Sequence, residues 1–184
     1  MHTYLILLRG INVGGKNKIP MAEFKLFLEE QGCTNVTTYI QSGNVILQSN
    51  LDAKALNQKI EENLPKEFKL DSSIIKVLVL TKEELQQIVN NRPTGFGDQP
   101  EKYHSDAIFL IGTKAAQAMP VFSPREGVDK VWPGDGVIYS QRLSAQRTKS
   151  RLSKIVGTPA YQSMTIRNWN TTTKLLEMLE KVDA

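Results

Sequence analysis

Over residues 3–80 the hydrophobic pattern changes its period repeatedly, and the order of those changes limits the folds open to this chain. Thr3 to Leu8 is a continuous apolar run of strand formers that stops at Arg9-Gly10, which reads as a buried central strand. After a loop, Pro20 suits the first turn of a helix, and Met21, Phe24 and Leu28 recur at helical spacing. Gly32 stands where a C-terminal cap belongs, so a helix is predicted over 20–31. Val36 to Ile40 and Val45 to Gln48 read as strands, joined by Gln41-Ser42-Gly43-Asn44, whose Gly and Asn suit a tight hairpin. Asn50 or Asp52 can cap a second helix with Leu56, Ile60 and Leu64 inward, and Pro65 is expected to stop it. Ile74 to Leu80 then reads as a strand. The succession is βαββαβ, the ferredoxin-like split βαβ arrangement, and the fold class is α+β.

The second half is less regular. Thr81 and Glu84 have the spacing of a capping box, with Leu85, Ile88 and Val89 as the buried face of the next helix. Residues 90–103 read as loop and Ala107 to Ile111 as a strand. Val128 to Trp132 and Val137 to Tyr139 form a predicted hairpin around Pro133-Gly134-Asp135-Gly136. Leu152 to Val156 reads as a short helix closed by Gly157, and a final amphipathic helix uses Leu175, Leu179 and Val182. This is a looser α+β unit, readable as a degenerate copy of the first. With no sequence repeat or clear linker, the expected boundary falls near residue 82, dividing the chain into 1–82 and 83–184.

At 184 residues and 40% hydrophobic content, one large core or two small ones can close. No run reaches the roughly 20 apolar residues of a membrane helix, and Met1 to Leu8 lacks the basic flank and cleavage site of a signal peptide. Cys33 is the single cysteine, which excludes an internal disulfide framework and a cysteine metal cluster. A cytoplasmic protein with no membrane partner, no cofactor and no metal is expected. The net charge of +4 is unevenly spread: residues 1–100 carry 11 basic and 11 acidic side chains, and 101–184 carry 12 and 8. Met1 to Ala22 and Gly136 to Leu176 contain no acid at all, so positive potential gathers there.

Arg9-Gly10-Ile11-Asn12-Val13-Gly14-Gly15-Lys16-Asn17-Lys18 comes directly after the first strand. Gly10, Gly15 and Lys16 match the start of a phosphate-binding P-loop, in which glycines let backbone N–H groups converge on an anion. The match breaks at Asn17, where a Ser or Thr should hold magnesium, and helix one starts too late. A narrower reading remains, in which the loop cradles a phosphate or carboxylate without hydrolysing it. In a βαββαβ unit the first strand's end and the first hairpin share one end of the sheet. Arg9, Asn12, Gly14, Gly15 and Lys16 would then face Gln41, Ser42 and Asn44. Against it stands the ordinary work of such residues, in which glycines turn the chain and Asn12 and Asn44 bond loop backbone.

Arg142 to Lys154 is the second candidate, with Arg147, Lys149 and Arg151 at its centre and Tyr139, Tyr161 and Trp169 at intervals around it. Basic charge interleaved with aromatics suits a nucleotide or single-stranded nucleic acid, although a solvated surface has the same composition. Arg167 is a further anion contact, beside Trp169, which is large enough to anchor the last helix, with Asn170 or Thr171 as its cap. Other chemistry is sparse. A nucleophilic triad would rest on His104 alone; Asp106, Asp129 and Asp135 match no metal-ligand spacing but form an acid/base cluster if the fold gathers them, and an enzyme would use Arg9 and Lys16 as clamps with Asp135 or Asp106 as base.

Four segments together resemble the widespread bacterial family known as domain of unknown function sixteen ninety-seven. They are Leu8-Arg9-Gly10-Ile11-Asn12-Val13-Gly14-Gly15, Tyr39-Ile40-Gln41-Ser42-Gly43-Asn44-Val45, Trp132-Pro133-Gly134-Asp135-Gly136 and Arg167-Asn168-Trp169-Asn170-Thr171. The resemblance implies an α+β fold with ferredoxin-like parts and implies no activity. Three functions stay open: binding of nucleic acid, a nucleotide or another phosphate at the Arg9 to Lys18 loop; an enzyme acting on a small phosphorylated or carboxylated substrate; and an interaction module, including a homo-oligomer.

Overall fold

The computed structural model describes residues 1–71 and 75–182. They form two units, residues 1–85 with 174–184 and residues 86–173.

In the first unit, β1 (His2–Arg9) leads through a loop to α1 (Met21–Glu30), then to the hairpin of β2 (Thr34–Tyr39) and β3 (Asn44–Ser49). α2 (Ala53–Glu67) and β4 (Lys76–Thr81) complete the βαββαβ succession. The sheet order is β2-β3-β1-β4, with every neighbouring pair antiparallel. Alternation along β1 sends Tyr4, Ile6 and Leu8 to one face, where Phe24 and Leu28 of α1 and Leu56, Ile60 and Leu64 of α2 pack on them. Asp52 caps α2 by accepting from the Ala55 amide at 2.8 Å. Pro65 does not stop this helix, which runs on to Glu67. So close to the end, Pro65 deprives only the Glu61 carbonyl of a donor, and Phe68 N still reaches Leu64 O at 3.0 Å. Ile74, the expected start of β4, lies outside the described residues.

α3 (Lys82–Asn90) begins with the reciprocal bonds of a capping box, Thr81 N to Glu84 Oε2 at 2.8 Å and Glu84 N to Thr81 Oγ1 at 3.1 Å. The second unit then runs β5 (Tyr103–Leu110), α4 (Ala115–Ala118), β6 (Asp129–Pro133), β7 (Val137–Leu143) and β8 (Met164–Asn168), before α5 (Trp169–Val182). Its sheet order is β6-β7-β5-β8, again antiparallel throughout. α5 is capped by Asn168, whose Oδ1 accepts from Thr171 N at 2.7 Å, and not by Asn170 or Thr171. Trp169, the first helical residue, is buried against Phe96 with ring centroids 5.0 Å apart.

Both sheets use the same register. Ile6 faces Val45 in the first as Ile108 faces Ile138 in the second, and Leu8 N donates to Gly43 O at 2.9 Å as Leu110 N donates to Gly136 O at 3.0 Å. Gly43 and Gly136 both take positive φ, +77 and +71. Beyond the hairpin the units differ. The first has the long helix α2, whereas the second has short 3₁₀ turns over Ser144–Lys149, Leu152–Gly157 and Pro159–Ser163. The expected α-helix at 152–156 is one of these 3₁₀ turns.

Candidate functional site

The irregular connection leaves part of the second sheet uncovered. Matched by register, the positions of Tyr4 and Leu47 in the first unit are held by Asp106 and Ser140 in the second. Where Leu56 and Ile60 of α2 fill the first unit's face, the second has a cavity of about 380 Å³. Its floor is a polar tetrad, with His104 beside Asp106 on β5 and Arg142 beside Ser140 on β7, His104 opposite Arg142 and Asp106 opposite Ser140. Ile108, Ile166, Phe122, Leu152 and Ile155 make the apolar wall, and Arg147, Ser150 and Ser153 come from the 3₁₀ connection.

Strand periodicity puts the two acid–base side chains together. β5 begins at Tyr103, four residues before the expected start at Ala107, so His104 and Asp106 stand two apart on one face. His104 Nε2 lies 2.9 Å from Asp106 Oδ2. Burial pushes the Asp106 carboxyl above the ordinary carboxylate range, with His104 and Arg142 pulling it back. Arg147 is exposed at the rim and, like Arg142, has no carboxylate within 4 Å among the described residues.

One buried acid fixes the basic segment. Asp129, at the start of β6, accepts from Ser150 Oγ at 2.6 Å, from Arg151 N at 2.8 Å and from Arg125 N at 2.9 Å. Burial alone would raise its carboxyl, but these bonds and the Arg125 charge hold it below the usual range. The acid-free run therefore depends on an acid outside it.

The other sequence candidates are spread over several places. Lys149 is exposed and Arg151 half-buried, and neither lines the cavity. Arg167 lies on the opposite face of the sheet, as the partner of Ala107, with Nη1 donating to Thr165 Oγ1 at 2.8 Å and to Ile166 O at 2.9 Å. It is buried, and burial pushes its guanidinium down to about 10.

In the first unit, the Arg9 to Lys18 loop is a small hairpin closed by Asn12 N to Asn17 O at 3.1 Å and Lys16 N to Val13 O at 3.0 Å. Gly10, Asn12, Gly14, Gly15 and Asn17 all take positive φ, the conformation that glycine and asparagine tolerate best. Asn12 Nδ2 donates to Ile19 O and, at 2.9 Å, to Gln41 O, joining the loop to the β2–β3 turn. Asn17 bonds Gly10 O and Asp71, and Asn44 Nδ2 bonds Tyr39 O and Ser42 Oγ. Gln41, Ser42, Gly14, Gly15 and Lys16 are exposed, and Arg9 is half-buried. The loop and the turn do meet, through the bond from the Asn12 side chain to the Gln41 carbonyl.

The sequence offers His104, Asp106 and Arg142 only as separate candidates; it does not show that β5 and β7 bring them together, or that Ser140 joins them. The signal was present in the alternation of Tyr103-His104-Ser105-Asp106, which a reading that looked for apolar strands passed over. β8 escaped notice for the same reason.

Comparison with known proteins places the chain beside one family model and a solved structure. The model of the family described as "Protein of unknown function (DUF1697)" matches residues 1–139, which include His104 and Asp106. The conserved bacterial protein SP0830 from Streptococcus pneumoniae has a similar structure, with a TM-score of 0.77 and 27% sequence identity over 96% of this chain and 98% of that one. Among curated proteins nothing matches. Among the described residues no group of three or more His, Cys, Asp or Glu could hold a metal, and no helix is long and apolar enough to cross a membrane.

Proposed function

The chain belongs to the DUF1697 family, and we propose that it binds a small phosphate ester in the cavity of its second unit. The observation that carries this reading is the pairing, in one cavity of about 380 Å³, of two arginines lacking a carboxylate within 4 Å among the described residues with a wall of aliphatic side chains and Phe122. The volume falls in the range of single small-ligand sites and is too small for a folded polymer. Arg142 and Arg147 supply charge-assisted donors to phosphate oxygens, and Ser150 is held within the same rim by Asp129. The apolar wall suits a base, aryl or alkyl group on the ester.

The Arg9 to Lys18 loop has less to offer such a ligand, because its asparagine side chains are engaged with backbone carbonyls. A bacterial cytoplasm fits the reading: phosphate esters abound there, and a lone buried cysteine suits a reducing compartment.

Calorimetric titration with phenylphosphonate and with nucleoside monophosphates tests the reading. Binding that weakens at least about tenfold in both Arg142→Ala and Arg147→Ala, while Lys16→Ala leaves it unchanged, is the expected outcome. Binding that Lys16→Ala removes and the two cavity variants spare would move the site to the loop. Binding confined to long single-stranded oligonucleotides, with a steep salt dependence, would replace the small ligand by a polymer.

A further inference from the structure

Resting on that binding reading, we infer that the cavity is a catalytic centre for phosphate monoester hydrolysis, with His104 moving the proton and Asp106 positioning it. The carrying observation is that a carboxylate stands on the floor of an anion pocket. A site that only binds phosphate gains nothing from Asp106, whose charge repels the ligand and whose burial costs free energy. In the first unit the same register position is filled by Tyr4, so the fold has no need of an acid there. A site that must move a proton has a use for it, because a carboxylate fixes the orientation of an imidazole and stabilises its protonated form.

The geometry fits that division of labour. His104 Nε2 is committed to Asp106 Oδ2 at 2.9 Å, and Nδ1 makes no hydrogen bond among the described residues. Nδ1 is thus the nitrogen left to exchange a proton. Arg142, the cross-strand partner of His104, and Arg147, which lines the same cavity, bring two positive charges, matching the dianion of a monoester. In the step, the oxygen of a water molecule bonds to phosphorus as the bond from phosphorus to the ester oxygen breaks. The imidazolium of His104 gives its Nδ1 proton to the departing oxygen, forming the alcohol. The proton lost by the attacking water passes to a non-bridging phosphate oxygen, dihydrogen phosphate leaves, and His104 takes a proton back from solvent, so the enzyme is unchanged. Charge that builds on the non-bridging oxygens during the step meets Arg142 and Arg147.

The experiment measures phosphate release from phenyl phosphate, whose leaving group needs a proton, and from p-nitrophenyl phosphate, whose leaving group needs none. Wild type and the variants His104→Gln, Asp106→Asn and His2→Gln are purified identically. His2 occupies the register position of His104 in the first unit and serves as the control. We expect His104→Gln to lose about 100-fold or more on phenyl phosphate and far less on p-nitrophenyl phosphate, with phenylphosphonate affinity kept within a few-fold. Asp106→Asn should lower kcat with little change in KM and alter the pH profile, and His2→Gln should match wild type. The inference is overturned if wild type binds phenylphosphonate yet releases no phosphate. Equal activity in His104→Gln and wild type, or equal loss on both substrates, overturns it as well. Absence of phenylphosphonate binding sinks the underlying reading instead, and catalysis falls with it.

Discussion

Asp129 accepts a hydrogen bond from the Ser150 hydroxyl at 2.6 Å, tying the first residue of β6 to a residue 21 positions later in the 3₁₀ connection. The same carboxylate accepts from Arg151 N, so the segment carrying Arg147 is held at two successive residues. Replacing Asp129 by Asn presents an amide N–H₂ to at least one of these donors. Loss of a charge-assisted bond and an unmet buried donor should cost about 1–3 kcal/mol of stability, read by denaturant unfolding. Because the folded carboxyl is held below its usual range, its contribution is present above the unfolded value and lost as pH falls through the folded one. The gap between wild type and Asp129→Asn should therefore close in acid.

Asp106 behaves in the opposite sense. Its folded carboxyl is raised by burial, so ionisation at neutral pH opposes folding, and stability is regained as pH falls through the folded value. Asp106→Asn should equal or exceed wild type in Tm at pH 7, and its advantage should vanish in acid. A fall in Tm at pH 7 would show that the bond to His104 outweighs the cost of burial.

Tyr139 donates its hydroxyl to Ile88 O, and burial pushes the phenol up to about 12. The contribution is present below the unfolded value and lost as pH rises from about 10 to about 12. Tyr139→Phe leaves a buried carbonyl unmet and should cost about 1–3 kcal/mol at neutral pH. Ultraviolet titration should find one tyrosine ionising near 12 in wild type and missing in the variant.

Gly43 and Gly15 share a positive φ but differ in surroundings. A Cβ at Gly43 would stand 2.8 Å from Leu8 Cβ, whereas one at Gly15 meets nothing within 4 Å. Both alanine variants carry the left-handed penalty of about 1–2 kcal/mol, and Gly43→Ala adds an overpacking cost of about 1–3 kcal/mol. Denaturant midpoints should order wild type, Gly15→Ala, Gly43→Ala. The reverse order for the two variants would mean that the loop tip, not the strand end, is the tighter place.

What could be read from the sequence divides along a physical line. Ile6, Leu8, Phe24, Leu56 and Ile60 announced their elements because burial against helices imposes apolar periodicity, and the first unit's succession came from them. β5 is legible only from Ala107 onward because His104, Ser105 and Asp106 are polar on both faces of the strand and break the apolar run that marks its second half. The 3₁₀ turns over 144–163 leave no periodic trace, since they are held by bonds such as Asp129 to Ser150 between residues far apart in sequence. The meeting of Asn12 with Gln41 was legible, because strand direction alone sets which loops share an end.

Gly136 touches none of the polar groups on the cavity floor, yet the pairing it fixes decides where they point. Its carbonyl takes the Leu110 amide and its φ of +71 closes the β6–β7 turn, setting β7 against β5 residue for residue. A slip of one position there would turn Ser140 and Arg142 to the opposite face of the sheet and bring Tyr139 and Gln141 round beside His104 and Asp106 in their place. The tightest constraint on this chemistry is thus a piece of carpentry at the sheet's end. A search for what preserves the site should begin with turn geometry as well as with charged side chains.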